Sequence, residues 1–162
     1  MNNSLLLILK IIMFFINEIT KNDYQSWQII FKEYLTFYNS ELTDSIIKSS
    51  WDKIINKDEQ IYCFGCYKSS EKNKELIGIM NFIFHKSTWS KKHVCYLEDL
   101  FIQEDYRLNG CASLLIKNLV KICKISNIEK IYWKTKSDNY QAQSLYKKFA
   151  NQTDFLEYEI LL

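Results

Sequence analysis

The sequence predicts an α/β layered domain with a central mixed sheet, and the order and spacing of its apolar residues carry that prediction. Runs rich in β-branched and aromatic residues alternate with runs whose apolar residues recur at helical spacing, giving the order β-α-α-β-β-β-α-β-α-β. At 162 residues, 48% hydrophobic and 25% charged, the chain has the size and composition of one soluble globular domain. It shows no internal repeat, low-complexity linker or composition break.

Each element has its own signal. Residues 14–20 form a strand candidate. Asn22 or Asp23 caps a helix over about 23–38, with Trp27, Ile30, Phe31, Tyr34 and Leu35 on one face. Thr43 or Asp44 starts a second helix that runs through Ile54. IYCFGCYKS (61–69) and LIGIMNFIFHK (76–86) read as antiparallel strands joined by the polar turn SSEKNKE, and VCYLEDLFI (94–102) is a third strand. From Asn109 an amphipathic helix places Leu115, Leu119, Ile122 and Cys123 on one face and Lys117, Lys121 and Lys124 on another. KIYWKTK (130–136) is a strand, 139–149 a short helix, and FLEYEILL (155–162) a closing strand.

Composition excludes several functions. A net charge of +2 argues against a surface dedicated to nucleic acid. Five cysteines at irregular spacing suit a reducing, cytoplasmic setting better than a disulfide framework. Cys63 and Cys66 are formally C-x-x-C but lie within a strand reading, so two buried thiols are expected and no metal. Residues 1–12 stand apart as an apolar N-terminal extension, with Met13 an alternative start, and 13–162 form the single domain. That extension belongs to an apolar run interrupted by Lys10 and shorter than the ~20 residues a membrane span needs, so no membrane association is expected.

Chemistry concentrates in the third run. YLEDLFI is nearly all apolar yet carries Glu98 and Asp99 side by side, and adjacent strand residues point to opposite faces. A buried carboxylate persists where it is hydrogen-bonded or functional, and both readings remain open. The loop that follows holds Arg107, the sole arginine among 21 basic residues, then Gly110 and the small Ala112, and leads into a helix. Orphan amides at a helix start bind anions in principle, although many helices begin this way and bind nothing.

Taken together, these segments resemble the GNAT N-acetyltransferase superfamily. Arg107, Gly110 and Ala112 fill its Arg/Gln-x-x-Gly-x-Gly/Ala signature, and Asn139, Ala142, Leu145 and Tyr146 match its Asn-x-x-Ala-x-x-Leu/Phe-Tyr motif. Gly78 within LIGIMNF resembles the family's hydrophobic-glycine strand. Trp89 in STW, ahead of YLED, is similar to the diamine and polyamine acetyltransferases and to the yeast-type histone/polyamine branch, and Trp133 in YWKT is similar to that yeast-type branch. The chain departs from many members at Leu108, where they carry glycine, and at Ala150 after the tyrosine helix.

The resemblance implies a largely antiparallel mixed sheet flanked by about four helices, acetyl-CoA as cosubstrate, and direct acetyl transfer to a primary amine. The acceptor is a small molecule (polyamine, diamine or amino acid) or a protein lysine; a homodimer is also expected. By the same likeness Glu98 removes the amine proton, with Asp99 as second choice, and Tyr146 protonates or hydrogen-bonds the departing thiolate. Leu100, Phe101 and Ile102 offer backbone groups to the pantetheine arm. Leu108, Asn109, Gly110, Cys111, Ala112 and Ser113 supply amides to the pyrophosphate, Arg107 adds charge, and Asn139 touches the cofactor. Cys111, at a helix start where a thiol pKa can fall, is read as a small loop residue. Glu33, Trp89, Glu98 and Asp99 are the acceptor-binding candidates, with Glu33 equally at home as a solvated helix residue. Two other readings stand beside this one: a CoA-binding regulatory domain without turnover, and a plain α/β interaction module.

Overall fold

A computed structural model describes residues 13–69 and 74–162, and all structural statements refer to them. The apolar extension 1–12 and the middle of the turn after residue 69 lie outside the described residues. Five strands and four helices follow one another: β1 (Met13–Glu18), α1 (Tyr24–Phe37), α2 (Asp44–Asn56), β2 (Ile61–Ser69), β3 (Lys74–His85), β4 (Val94–Ile102), α3 (Cys111–Ile125), β5 (Ile131–Tyr132) and α4 (Tyr140–Tyr146).

Local chemistry sets the helix boundaries. The Thr20 N–H and hydroxyl both donate to the Asp23 carboxylate, closing the turn into α1. The Thr43 hydroxyl accepts the Ile46 N–H at the start of α2, and Lys57 ends that helix in the left-handed region at φ 57°. Gly110, at φ 83°, precedes α3. This helix therefore starts two residues later than the spacing predicted, because positions 108–110 are spent turning the chain.

The sheet order is β1-β2-β3-β4-β5, antiparallel from β1 to β4, with β5 parallel to β4. Central β3 is buried on both faces, so LIGIMNF reads as a continuous apolar run. One core, with Trp27, Ile30, Phe31, Ile47, Trp51 and Ile54, lies under α1 and α2. A second, with Leu97, Ile102, Cys111, Leu115 and Leu119, lies under α3 on the other face. Cys63 joins the first core and Cys66 the second, so the C-x-x-C thiols face opposite ways. No group of three or more metal-ligating side chains occurs among the described residues, and no described helix is long and apolar enough to cross a membrane.

β4 is irregular at its centre. Asn81 pairs with Asp99, but the next residue, Phe82, pairs with Leu97, which leaves Glu98 as the extra residue of a β-bulge. The bulge resets the alternation. Leu97 packs in the α3 core, and so do Leu100 and Ile102, whereas Phe101 packs in the α1–α2 core. Unbroken alternation would have put Leu97 and Phe101 on the same face.

Two expected strands come out differently. β5 keeps two residues of the expected seven, since it ladders with β4 only at Cys95 and Tyr96, upstream of the bulge. Residues 155–162 form no strand: no ladder partner lies beside them and they are exposed throughout. α4 ends at Tyr146, and the Phe149 and Ala150 N–H groups both bond to the Tyr146 carbonyl, so Ala150 closes the turn without a left-handed residue.

Candidate active site

Beyond Tyr96, β4 continues to Ile102 with no strand on its second side. A cleft of about 470 Å³ lies against this unpaired stretch. Leu100, Phe101 and Ile102 form one wall, Arg107, Leu108 and Gly110–Ser113 a second, and Asn139, Ala142, Leu145 and Tyr146 of the α4 region a third. The two sequence motifs, about thirty residues apart, therefore face one another across one opening.

The loop wall is built for an anion. The Leu114 N–H bonds to the Gly110 carbonyl at 3.0 Å, which leaves the N–H groups of Cys111, Ala112 and Ser113 ahead of the first helical bond. A Cβ placed on Gly110 would meet nothing within 4 Å, so the glycine is required by its φ of 83° and not by crowding. Leu108, at φ 61°, adopts the left-handed conformation that glycine accepts most readily. Asn109 turns away from the cleft, and its Nδ2 donates to the Arg107 carbonyl at 3.0 Å, bracing the turn.

Arg107 is committed in part to the strand. Its Nε donates to the Ile102 carbonyl at 3.0 Å, and its guanidinium carbon lies 5.3 Å from the ring centres of both Phe37 and Phe101. The side chain ties loop to strand as well as lining the cleft. Asn139 has a structural task too: its Oδ1 accepts the Ala142 N–H at 3.1 Å and caps α4. Cys111 is buried, and that burial pushes its thiol up, outweighing the hydrogen bonds from Cys66 and from its own backbone that favour a thiolate.

Tyr146 lines the cleft with its ring edge-on to Trp133, centroids 5.2 Å apart. Burial, with a smaller contribution from Tyr38, pushes its hydroxyl up to about 12, so it is a neutral donor at physiological pH.

The acidic pair divides at the bulge. Glu98 reaches solvent, and partial burial followed by the neighbouring Asp99 charge raises its carboxyl above the usual range. Asp99 turns inward, where Asn81 Nδ2 donates to its Oδ2 at 2.9 Å and the Tyr34 hydroxyl lies beside it. Burial raises Asp99, and those two hydrogen bonds only partly offset it. Neither carboxylate is among the residues lining the cleft itself.

The acceptor candidates are not gathered in one place. Glu33, on α1, accepts from Gln103 Nε2 at 3.1 Å near the far end of β4. Trp89 lies in the turn ahead of β4, 87% exposed, nine residues before the bulge. Sequence reading missed Phe37, Tyr38, Tyr106, Gln141, Ser144 and Lys148, which also line the cleft. The aromatic run that ends α1 was visible, but nothing in its spacing placed it beside α4.

Comparison with known proteins gives a consistent picture. The model of the family described as "Acetyltransferase (GNAT) family" matches residues 24–150. The D-amino-acid N-acetyltransferase HPA3 of Saccharomyces cerevisiae is 25% identical over 144 residues, covering 89% of this chain and 88% of that protein. A crystal structure of a probable acetyltransferase superposes with a TM-score of 0.79 at 19% identity, covering 91% of this chain and 97% of the other. The aminoglycoside acetyltransferase AAC(6')-Iy, solved with a bisubstrate analogue of CoA and monomethyl-acetylneamine, superposes at 0.73 with 15% identity, covering 93% and 99%.

Proposed function

Since the chain belongs to the GNAT acetyltransferase family and is therefore an acyltransferase, we propose that it moves an acetyl group from acetyl-CoA directly to a small primary amine. One observation carries this reading: bare amides at the start of α3 and the unpaired edge of β4 border the cleft that holds the neutral Tyr146 hydroxyl. The acceptor class is supported by the named activity of the yeast relative, which acts on D-amino acids.

The residues fit acetyl-CoA, which supplies the activated thioester. The backbone groups that β4 turns away from β3 along Leu100–Ile102, other than the Ile102 carbonyl that Arg107 occupies, are the natural partners for an amide-bearing arm. The amides of residues 108–113 and the charges of Arg107 and Lys148 suit a pyrophosphate. An alkyl amine with pKa ~10.4 arrives protonated at neutral pH, so transfer needs a base. Glu98, exposed at the bulge with a raised pKa, takes that proton through water; Asp99 is the second candidate and holds the strand beneath it.

Tyr146 serves the leaving group. A thiol titrates near ~8.5, so full proton transfer from a hydroxyl at about 12 runs uphill by roughly 5 kcal/mol. Tyr146 therefore donates a hydrogen bond to the developing thiolate and leaves final protonation to solvent.

The test is thiol release from acetyl-CoA with D- and L-amino acids, diamines, spermidine and a histone-tail peptide. A small amine is expected to give the highest kcat/KM. Binding of CoA without thiol release on any acceptor would replace this reading by a non-catalytic CoA-binding domain. With the best acceptor, Tyr146→Phe should lower kcat by about 100-fold while leaving the acetyl-CoA dissociation constant nearly unchanged. An unaltered kcat would remove Tyr146 from the chemistry.

A further inference from the structure

A cavity of about 150 Å³ lies beside the cleft and has no part in the chemistry described so far. Its walls include Leu97 of β4, Val120 of α3, Ile131 and Trp133 of the β5 run, and Phe149 and Ala150 after α4. No lining side chain is charged, and none is a hydroxyl or an amide. A cavity of that size with apolar walls stays dry and takes a guest the size of benzene.

Cavity and cleft are neighbours on one face of the sheet. On β4, Leu97 borders the cavity and Leu100 the cleft, on either side of the bulge, and both pack toward α3. On α3, Ala112 and Ser113 border the cleft, and Ile116, one turn on, borders the cavity. Tyr146 lines the cleft, and three residues later Phe149 lines the cavity. Trp133 is the partition between them: it lines the cavity, and its ring touches that of Tyr146.

What the cleft holds decides what reaches the cavity. With Tyr146 at the thioester sulfur, the acyl group starts next to Trp133. The amine comes from the other face, where Tyr34 of α1 lies beside Asp99 and Lys53 of α2 is close enough to act on Glu98. We propose that the cavity is an acyl-chain site, so that the enzyme transfers straight-chain acyl groups of about four to six carbons from their CoA thioesters as well as acetyl. This rests on the transferase reading of the cleft. The bond changes are those of acetyl transfer: the amine nitrogen adds to the thioester carbonyl carbon, and the C–S bond breaks as the C–N bond forms. CoA leaves as its thiolate, and the amine proton passes through water to Glu98. Malonyl- and succinyl-CoA are excluded, because their free carboxylate would lie unpaired among apolar walls.

The test is thiol release from acetyl-, butyryl-, hexanoyl- and succinyl-CoA with one acceptor, together with the dissociation constant of each donor. Each buried methylene strengthens binding about fourfold, so butyryl-CoA should bind about tenfold more tightly than acetyl-CoA and be turned over at a comparable kcat. Succinyl-CoA should give no release. Val120→Phe, half-buried on α3, and Ala150→Phe, exposed at the opposite wall, fill the cavity from two sides. Both should lose the preference for butyryl-CoA and keep acetyl transfer. Acetyl transfer without butyryl transfer would overturn the proposal and leave the transferase reading standing. So would a butyryl preference that survives both phenylalanines, or an equal loss with both donors in both variants. If no donor is turned over, the transferase reading falls and the cavity is judged by binding: equal affinity for acetyl- and butyryl-CoA overturns it as well.

Discussion

Leu108 is 93% exposed, so the left-handed conformation it adopts at φ 61° gains no packing in return. Such a conformation costs a non-glycine residue about 1–2 kcal/mol. Glycine would remove that strain but loosen the unfolded chain by roughly 0.5–1 kcal/mol. Leu108→Gly is therefore expected to stabilise the protein by about 0.5 kcal/mol, and Leu108→Val to destabilise it, as read by urea midpoints. At this scale the sequence was legible for residue type and silent on direction. Arg107 was recognisable as the one arginine in an anion loop, but its turn back to Ile102 depends on Phe37, which only the tertiary fold brings near. Glu98 and Asp99 were visible as a pair, and alternation alone implied opposite faces. The bulge that brings Glu98 out to solvent has no signature in an apolar pattern.

β4 concentrates the functional geometry, and Gly78 on β3 sets its approach. A Cβ on Gly78 would lie 2.3 Å from Ile102 Cδ1 and 2.7 Å from the Phe101 carbonyl oxygen. Ile102 can rotate its tip, but a backbone oxygen yields only by shifting the strand that lines the cleft. Gly78→Ala should therefore cost about 1–3 kcal/mol and weaken acetyl-CoA binding together with stability. Unchanged binding in a destabilised variant would separate strand spacing from the cleft. Most elements were readable from the sequence because their apolar periods are long and their caps explicit, as with Thr43 before α2. β5 was not. Its residues alternate over seven positions, but pairing is a property of two strands, and β4 bulges where the partnership would continue.

On the scale of the whole molecule, one sheet separates two cores, and the cleft opens at the end where β4 runs on without β5. That layered order was legible because each helix carries a single apolar stripe that must meet the sheet. Residues 155–162 were read as a strand on the same grounds; the pattern is real, but a strand also needs a ladder partner, and no described strand pairs with this segment. The same division sorts the four tryptophans. Trp27 and Trp51 are sealed in the α1–α2 core, Trp89 stands in solvent, and Trp133 rests edge-on against Tyr146. Acetyl-CoA should change the emission of Trp133 and leave the other three as they are, so Trp133→Phe should abolish the ligand-dependent fluorescence change while Trp89→Phe preserves it. A signal that persists without Trp133 would place the ligand's influence elsewhere. The contact that orients the tyrosine thus doubles as an optical gauge, by which seating of the cofactor can be timed in the native chain without any attached dye.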